Sequence, residues 1–306
     1  MLFKRQSGTR QMTGLYMDRF GLGVATIEHD KGRKARLTAA RWSSLADEEI
    51  SAELLRDQVG SSRRLINLVM ADQNYQLLLV EAPRVEPSEL RAAIRWKVKN
   101  LIDFHIDDAV IDVFEIPGQQ NRPAGQAMMY AIAARAREIR QRIDLCEAAD
   151  LDLQVIDVTE MALRNLAAQL EEDVRGVGLL YLDHDHGIIT LTRQANLYLS
   201  RRLEIGFGAL SADFDESLAQ ITLEVQRSLD YYDSHFGQPA LSGLRVLPGF
   251  AEQATLADAL AENLNLGSAV YDMNEAIDCQ ASLPDNAPPA LALAIGGALR
   301  REELRL

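Results

Sequence analysis

The fold is decided by the stretch Leu15-Tyr16-Met17-Asp18-Arg19-Phe20-Gly21-Leu22-Gly23-Val24. A similar stretch follows half a chain later, at Leu180-Tyr181-Leu182-Asp183-His184-Asp185-His186-Gly187-Ile188-Ile189. In both, an apolar strand ends in Tyr-apolar-Asp, a short turn follows, and a second apolar strand leaves. The two aspartates are 165 residues apart. A strand–Asp–turn–strand hairpin repeated at this distance is typical of a duplicated, phosphate-binding α/β fold. We therefore predict an α/β fold made of two similar halves.

Length and composition agree with two domains. At 306 residues the chain exceeds the size that one hydrophobic core usually organises. Its 47% hydrophobic and 25% charged residues are typical of a globular protein. The 45 acidic and 32 basic side chains give a net charge of −13, which repels nucleic-acid phosphates and anionic lipid surfaces. We expect neither of these as a direct partner.

The cysteines and the hydrophobic runs indicate the compartment. The chain has two cysteines, Cys146 and Cys279, without a C-x-x-C pair or a neighbouring histidine cluster, so neither a disulfide framework nor a zinc site is indicated. The N-terminus has no hydrophobic signal region, and the longest apolar run, 290–299, is too short to span a bilayer. We expect a cytoplasmic protein that reaches a membrane only through a partner.

The predicted elements divide the chain into a first domain, 1–172, and a second domain, 173–306. The first domain begins with two strands, a helix at 46–58 and two more strands, and a subdomain is inserted into it at about 83–157. The second domain begins with three antiparallel strands. Its strongest periodic helix, at about 215–236, is followed by a glycine that suits a C-terminal cap.

The insert is predicted to begin with an amphipathic helix. Ser88 is placed to cap its N-terminus, and an apolar stripe follows at helical spacing. The stripe consists of Leu90, Ile94, Val98, Leu101 and Ile102. Two strands and a second helix come next, and a last strand at 153–158 completes the insert.

The paired aspartates suggest a nucleotide site. Asp18 and Asp183 are candidates for the magnesium shell of a nucleotide held between the two halves, and the turns around them would have to let backbone N–H groups approach the phosphates. Side chains follow both aspartates where glycines would favour that approach, and Asp185 adds a negative charge. The alternative is that Asp18 and Asp183 accept hydrogen bonds from the backbone of their own turns.

The segment Asp183-His184-Asp185-His186 raises the question of a metal site. Alternation along a strand would place both imidazoles on one side. Two histidines at a hairpin tip without a third ligand are usually turn residues in contact with solvent, so we predict no metal. The sequence also shows no Ser/His/Asp order or nucleophile elbow, so we predict no catalytic residue.

A basic stripe on the first helix of the insert is a candidate partner surface. Arg91, Arg95 and Lys99 lie along one edge of that helix, and Trp96 points to a different face. In a chain this acidic, such an edge suits an acidic or amphipathic segment of a partner. The alternative is an ordinary solvated helix face.

Several segments resemble a known family. They are Glu81-Ala82-Pro83 with the helix 89–104, the strand Val110-Ile111-Asp112-Val113-Phe114-Glu115-Ile116-Pro117, the helix segment Val225-Gln226-Arg227-Ser228-Leu229-Asp230-Tyr231-Tyr232, the turn Leu244-Arg245-Val246-Leu247-Pro248-Gly249-Phe250-Ala251, and Ala294-Ile295-Gly296-Gly297-Ala298-Leu299-Arg300. In these segments the chain resembles the PilM-like type IV pilus assembly proteins. Within that family it looks most like the MshI group, which serves biogenesis of the MSHA (mannose-sensitive haemagglutinin) pilus.

The resemblance implies an actin-like (ribonuclease H-like) duplicated fold with a subdomain inserted as in FtsA and PilM. PilM binds ATP, and it holds the cytoplasmic tail of the inner-membrane protein PilN in a groove between the first core subdomain and the insert. The resemblance therefore implies a PilN-type partner for this chain. It also places Asp18, Asp183, Gly249 and Gly296 at the ATP/Mg cleft.

The chain departs from the family at that cleft. Phe20 replaces the glycine of the first hairpin, Asp185 that of the second, and Pro248 the first glycine of the adenosine turn. We therefore expect a scaffold with a degenerate nucleotide cleft rather than an enzyme. The alternatives are an ATP-binding, ATP-hydrolysing switch of the same machinery, and the cytoplasmic part of a GspL-like type II secretion protein.

Overall fold

The structure, a computed structural model, describes residues 10–45, 50–60, 64–119 and 127–301. The strands in these ranges are β1 (Arg10–Met17), β2 (Gly21–His29), β3 (Arg36–Ser44), β4 (Leu65–Met70), β5 (Tyr75–Glu81), β6 (Ala109–Glu115), β7 (Met128–Arg135), β8 (Asp152–Val158), β9 (Val177–Leu182), β10 (Gly187–Arg193), β11 (Asn196–Leu203), β12 (Gly243–Val246), β13 (Ser268–Val270) and β14 (Asp278–Cys279). The α-helices are α1 (Ala52–Val59), α2 (Leu90–Val98), α3 (Ala136–Ala148), α4 (Thr159–Ala167), α5 (Phe207–Ala212), α6 (Phe214–Phe236), α7 (Gln253–Leu264), α8 (Met273–Ala276) and α9 (Ala290–Ala298).

The two large sheets repeat one topology. The first sheet has the order β14-β3-β2-β1-β4-β8, and the second has the order β11-β10-β9-β12-β13. Each contains three antiparallel strands, next to which two further strands run parallel to the first strand of the set. Because the second sheet repeats the strand order of the first, the predicted duplication and the α/β class are confirmed.

Two helices, α4 and α9, lie between the sheets. Every residue of α9 is buried, as its almost purely apolar sequence requires. It packs on β1, β2, β4 and α4, while α4 also contacts β9, β10 and β11. A side chain at Gly296 would collide with the carbonyl oxygen of Ala162 in α4, and a side chain at Gly14 would collide with that of Ala294 in α9. Glycine therefore allows the backbones of β1, α9 and α4 to approach one another.

The insert is a three-stranded antiparallel sheet in the order β5-β7-β6. One face is covered by α2, whose Ile94 and Val98 are fully buried against it. The other face reaches the second domain, where the Tyr130 hydroxyl accepts the backbone N–H of Ser200 at 3.0 Å and Tyr130 stacks on Phe114. The insert thus contacts both large domains.

Sheet membership differs from our expectation at both ends of the insert. Strand β5, which we placed in the first sheet, pairs with β7 of the insert, while β8, which we placed in the insert, extends the first sheet beside β4. Likewise β14 and α9 come from the end of the predicted second domain but pack on the first sheet. These exchanges arise from long-range pairing, which local pattern does not encode. The domain limits at 172 and 173 stay a prediction.

Local predictions for the insert's first helix need two corrections. Ser88 is not its N-cap, because Pro87–Glu89 form a 3₁₀ turn and α2 begins at Leu90. The helix ends at Val98, so Leu101 leaves the helical phase and lies 55% exposed instead of completing the stripe.

Two further differences concern the first domain. Strand β3 was missed, and the first residues of the helix predicted at 46–58 lie outside the described residues.

The long helix α6 matches its prediction. The Asp213 side chain caps its N-terminus by accepting the N–H of Glu216, and Gly237 ends it in the left-handed conformation, with φ of 58°.

Among all the helices in the described ranges, none has both the length and the apolar character that a bilayer crossing needs.

The contact between α9 and α4 gives a stability prediction. Gly296→Ala places a methyl group against the Ala162 carbonyl, so the helices must separate; overpacking of this kind costs about 1–3 kcal/mol. We expect the melting temperature to fall by about 2–8 °C. The control is Gly267→Ala, where a Cβ meets no atom within 4 Å and the melting temperature should not fall. Equal melting temperatures for the two variants would contradict the close packing of α9.

Candidate functional site

The two hairpins that carry the paired aspartates have the same internal hydrogen bonds. Asp18 Oδ1 accepts the N–H groups of Phe20 and Gly21, at 2.8 and 3.0 Å. Asp183 Oδ1 accepts the equivalent N–H groups of Asp185 and His186, at 2.8 and 2.7 Å. Each aspartate therefore caps its own turn, which is the second of the two roles considered from the sequence.

The hairpin tips meet across a small cleft of 170 Å³ between the domains. The Arg19 guanidinium forms an ion pair with Asp185 of the other hairpin and also lies over the Phe20 ring, 4.5 Å from its centroid. His184 Nδ1 contacts Asp185 from the other side at 2.7 Å. The mouth of the cleft is therefore occupied by side chains of the protein itself.

A second set of charged groups crosses the same cleft deeper inside. His186 Nε2 lies 2.7 Å from Asp72, which follows β4 of the first domain, and His186 Nδ1 lies 2.8 Å from Asp183. Arg202 of β11 also pairs with Asp72. Both ring nitrogens of His186 thus face carboxylates across the cleft. The described ranges contain no cluster of three metal-ligating side chains.

Two buried tyrosines lie next to the paired aspartates. Tyr16 and Tyr181 occupy equivalent positions in the repeat, and burial is the largest cause that raises the pKa of each well above its ordinary value. The nearby aspartates raise both further, whereas the contact between the two tyrosines raises the pKa of Tyr16 and lowers that of Tyr181. Burial also raises the pKa of Asp18, against the opposing effect of its backbone hydrogen bonds. The hydroxyls of both tyrosines therefore stay neutral beside the aspartates.

The structure does not bring the four predicted cofactor residues together. Asp18 and Asp183 line the small cleft, whereas Gly249 borders a separate cavity of 490 Å³ and Gly296 faces Ala162 in the helix contact described above. Gly249 has φ of 124°, and a side chain there would collide with Pro289. The close approach at Gly249 is thus made by the proline loop that precedes α9.

A row of aromatic rings joins these two places. His184 of the second hairpin meets Phe207 edge-on at 5.5 Å, and Phe207 stacks on Phe250, which follows Gly249, at 5.7 Å. The rings lie between the hairpin tip and the glycine turn. They fill the space between the two turns.

A different cavity lies between the insert and the edge of the first sheet. It has a volume of 560 Å³ and is bordered by the edge strands β6 and β8, with α3, α4 and the start of β11 around it. We call it the insert groove. Its apolar lining includes Val110, Phe114, Ile132, Ile139, Ile156, Met161 and Leu197, and its charged side chains are Asp112, Glu115, Asp157, Arg164 and Arg300.

Sequence reasoning did not find the residues of the insert groove. The available signal was the strand 109–115, whose alternate positions Val110, Asp112 and Phe114 share a face without an assigned cover. The position of β8 beside this face, and the approach of Arg300 to Asp157 at 2.7 Å, follow only from the tertiary structure.

The predicted partner residues lie on α2, outside the insert groove. Arg91 faces Asp112 at 3.7 Å on the groove's rim, and Arg95 binds Asp107 at 3.2 Å. Trp96 is 76% exposed, with the Lys99 ammonium 5.6 Å from its ring centroid. The basic stripe is therefore partly neutralised inside the insert, while Trp96 and Lys99 stay open to solvent.

A further cavity, of 620 Å³, has the buried acid Glu160 in its lining. The Tyr75 hydroxyl donates to Glu160 at 2.5 Å and accepts the N–H of Thr159 at 3.1 Å. Burial raises the pKa of Glu160 above its ordinary value, and the Tyr75 hydrogen bond opposes that effect.

The raised pKa of Glu160 gives a pH prediction. The folded protein holds this proton more tightly than the unfolded chain, so its contribution to stability is present at low pH and is lost as the pH rises from the ordinary carboxyl value of 4.5 through the raised pKa. In Glu160→Gln the amide oxygen still accepts from Tyr75 and no proton is lost. We expect the melting temperature of the variant to rise relative to wild type across this range. The control, exposed Glu262→Gln, should show a pH-independent difference; the same behaviour for Glu160→Gln would refute the assignment.

The chain is similar to known proteins in both sequence and structure. Residues 58–183 match the family model described as type IV pilus assembly protein PilM. Comparison with curated protein sequences gave no significant match. The structure of a PilM-PilN type IV pilus biogenesis complex aligns with a TM-score of 0.73 at 18% identity and covers 96% of this chain and 98% of that chain.

Two further solved structures align over the same extent. The cytoplasmic domain of EpsL, an inner-membrane component of the type II secretion system of Vibrio cholerae, gives a TM-score of 0.52 at 10% identity, covering 96% of each chain. A Bacteroides thetaiotaomicron protein of unknown function with an actin-like ATPase fold gives 0.50 at 10% identity, covering 96% of this chain and 99% of that chain. At these identities the likeness shows the fold. The chain therefore has the actin-like ATPase fold, as predicted, and over residues 58–183 it matches the PilM family.

Proposed function

We propose that this protein is a cytoplasmic scaffold of a type IV pilus assembly platform, of the MSHA type, held at the inner membrane by a PilN-type protein whose cytoplasmic tail it binds. The match of residues 58–183 to PilM and the full-length alignment with a PilM-PilN complex support this proposal. The resemblance to the MshI group in sequence supports its assignment to the MSHA pilus.

The insert groove is the surface that carries this proposal. It combines an apolar floor with charged groups at its rim, which suits an extended segment that buries alternate side chains. Its long walls are β6 and β8, and each lies at the end of its sheet, without a second strand neighbour among the described residues. Backbone N–H and C=O groups on these edges are therefore available to a bound strand.

The groove can be tested by capture of a tail peptide. Val110 is 45% exposed on β6 and lines the groove, so Val110→Glu places a charge on the apolar floor without emptying a core. We expect this variant to bind a peptide from the N-terminal cytoplasmic segment of the PilN-type partner about tenfold or more weakly, because a charge must be desolvated. Isothermal calorimetry measures the dissociation constant.

The matched control addresses the surface on α2. Trp96→Glu makes the same chemical change at an exposed position of the insert, and Arg91→Glu with Arg95→Glu reverses the basic stripe. We expect tail affinity to survive Trp96→Glu. Loss of binding in Trp96→Glu and in the double arginine variant, with binding retained in Val110→Glu, would move the tail site to α2.

We further propose that the nucleotide cleft is degenerate and that the protein is not an ATPase. The Arg19–Asp185 pair, the self-capped turns, the Pro289 contact of Gly249 and the aromatic row of His184, Phe207 and Phe250 support this. The rival function is an ATP-dependent switch. One observation favours it: the structure does bring Asp18 and Asp183 to the same cleft.

A thermal-shift titration separates these two functions. We expect no saturable rise in melting temperature with Mg-ATP or Mg-ADP up to millimolar concentration, because the protein's own side chains occupy the cleft. Binding would be detected readily, since a ligand present at 100 times its dissociation constant adds about 2.7 kcal/mol to stability. A saturable rise at sub-millimolar nucleotide, together with hydrolysis that disappears in Asp18→Ala, would establish the switch instead.

A further inference from the structure

Charged and polar groups of both domains meet at the interdomain cleft. Its carboxylates are Asp18, Asp72, Asp183 and Asp185, and Arg19, Arg202 and His186 lie among them. His184 adds a contact to Asp185. Side chains of the protein thus face Asp72, Asp183 and Asp185, carboxylates that a bound divalent metal would otherwise contact.

The contacts of this set connect the two domains. Arg19 belongs to the turn between β1 and β2 and pairs with Asp185, in the turn between β9 and β10. In the other direction Asp72, after β4, receives both His186 and Arg202 from the second domain. The first domain supplies the basic partner in the Arg19–Asp185 pair and the acidic partner in the contacts of Asp72. Sliding or opening of the cleft would break both sets of contacts.

From this geometry we infer that Arg19, Asp72, Asp185, His186 and Arg202 form an interdomain clasp that holds the two domains closed without any ligand. The clasp takes the place that a metal-bound phosphate would have between the hairpins. This goes beyond the proposed function because it concerns the resting conformation of the chain, whichever partner it binds.

The two parts of the clasp contribute unequally. The side chains of Arg19 and Asp185 are 63% and 50% exposed, and ion pairs in water contribute little. Those of Asp72 and His186 are both 10% exposed. There the removal of one partner leaves a charge buried without compensation, which is far more disruptive. The inner contact at Asp72 therefore holds the domains, and the outer pair sets the registration of the hairpin tips.

The test measures the distance between the domains. Exposed positions on α1 and α7 accept spin labels through Asp57→Cys and Asp258→Cys, in a Cys279→Ser background that leaves Cys146 buried. Double electron–electron resonance then reports the separation. We expect one narrow distance distribution that Mg-ATP does not change. Asp72→Asn combined with Asp185→Asn should broaden it or shift it by several ångströms.

Two further variants make the result decisive. Asp278→Asn removes the Arg36–Asp278 ion pair, which lies within the first sheet, and should leave the distribution narrow. The exchange Arg19→Asp with Asp185→Arg should restore the registration of the hairpin tips that Arg19→Asp alone disturbs. If the Asp72 variant does not fold, Arg202→Gln, which removes one contact to Asp72 at a side chain that is 43% exposed, tests the inner contact and should broaden the distribution. An unchanged distribution in the neutralised variant, or failure of the exchange to recover what Arg19→Asp loses, would overturn the clasp.

Discussion

The architecture depends on the burial of α9 between the first sheet and α4. This helix comes from the end of the chain, yet it covers β1, β2 and β4 and contacts the helix that also packs on the second sheet. Its glycines remove the side chains that would hold the backbones apart. Because α9 closes the first core only after the second sheet has been crossed, the first domain is not a continuous segment of sequence, and the relative position of the domains is set by shared packing as well as by surface contacts.

That shared packing brings the repeated hairpins to face each other across a narrow cleft. This is the cleft in which the sequence resemblance places a nucleotide. In this chain the aspartates cap their turns, buried tyrosines lie beside them, and Arg19 and Arg202 form ion pairs across the cleft. These contacts are the basis for proposing that the cleft is degenerate and that the insert groove is the surface for a partner.

Sequence patterns predicted what is local. The Tyr-apolar-Asp repeat predicted the paired hairpins, because an aspartate that bonds its own turn leaves a short-range signature, and the period of α6 with Gly237 predicted a long capped helix. Strand β3 was missed because most of its residues are half-exposed and show no clear alternation. The groove was missed for another reason: Val110 and Phe114 meet β8 only through pairing of distant segments. Of the four predicted cofactor residues, only Asp18 and Asp183 share a cavity, since Gly249 and Gly296 pack against Pro289 and Ala162.

The edge strand β8 has a consequence for the life of the protein in the cell. Its outer backbone groups have no strand neighbour among the described residues, and an uncovered sheet edge is a template on which other chains can add strands. The charged Asp157–Arg300 pair at this edge limits such growth without closing the edge. A chain that carries this edge is best kept at low abundance or matched in amount to whatever covers it, so that production in excess would favour self-association over assembly.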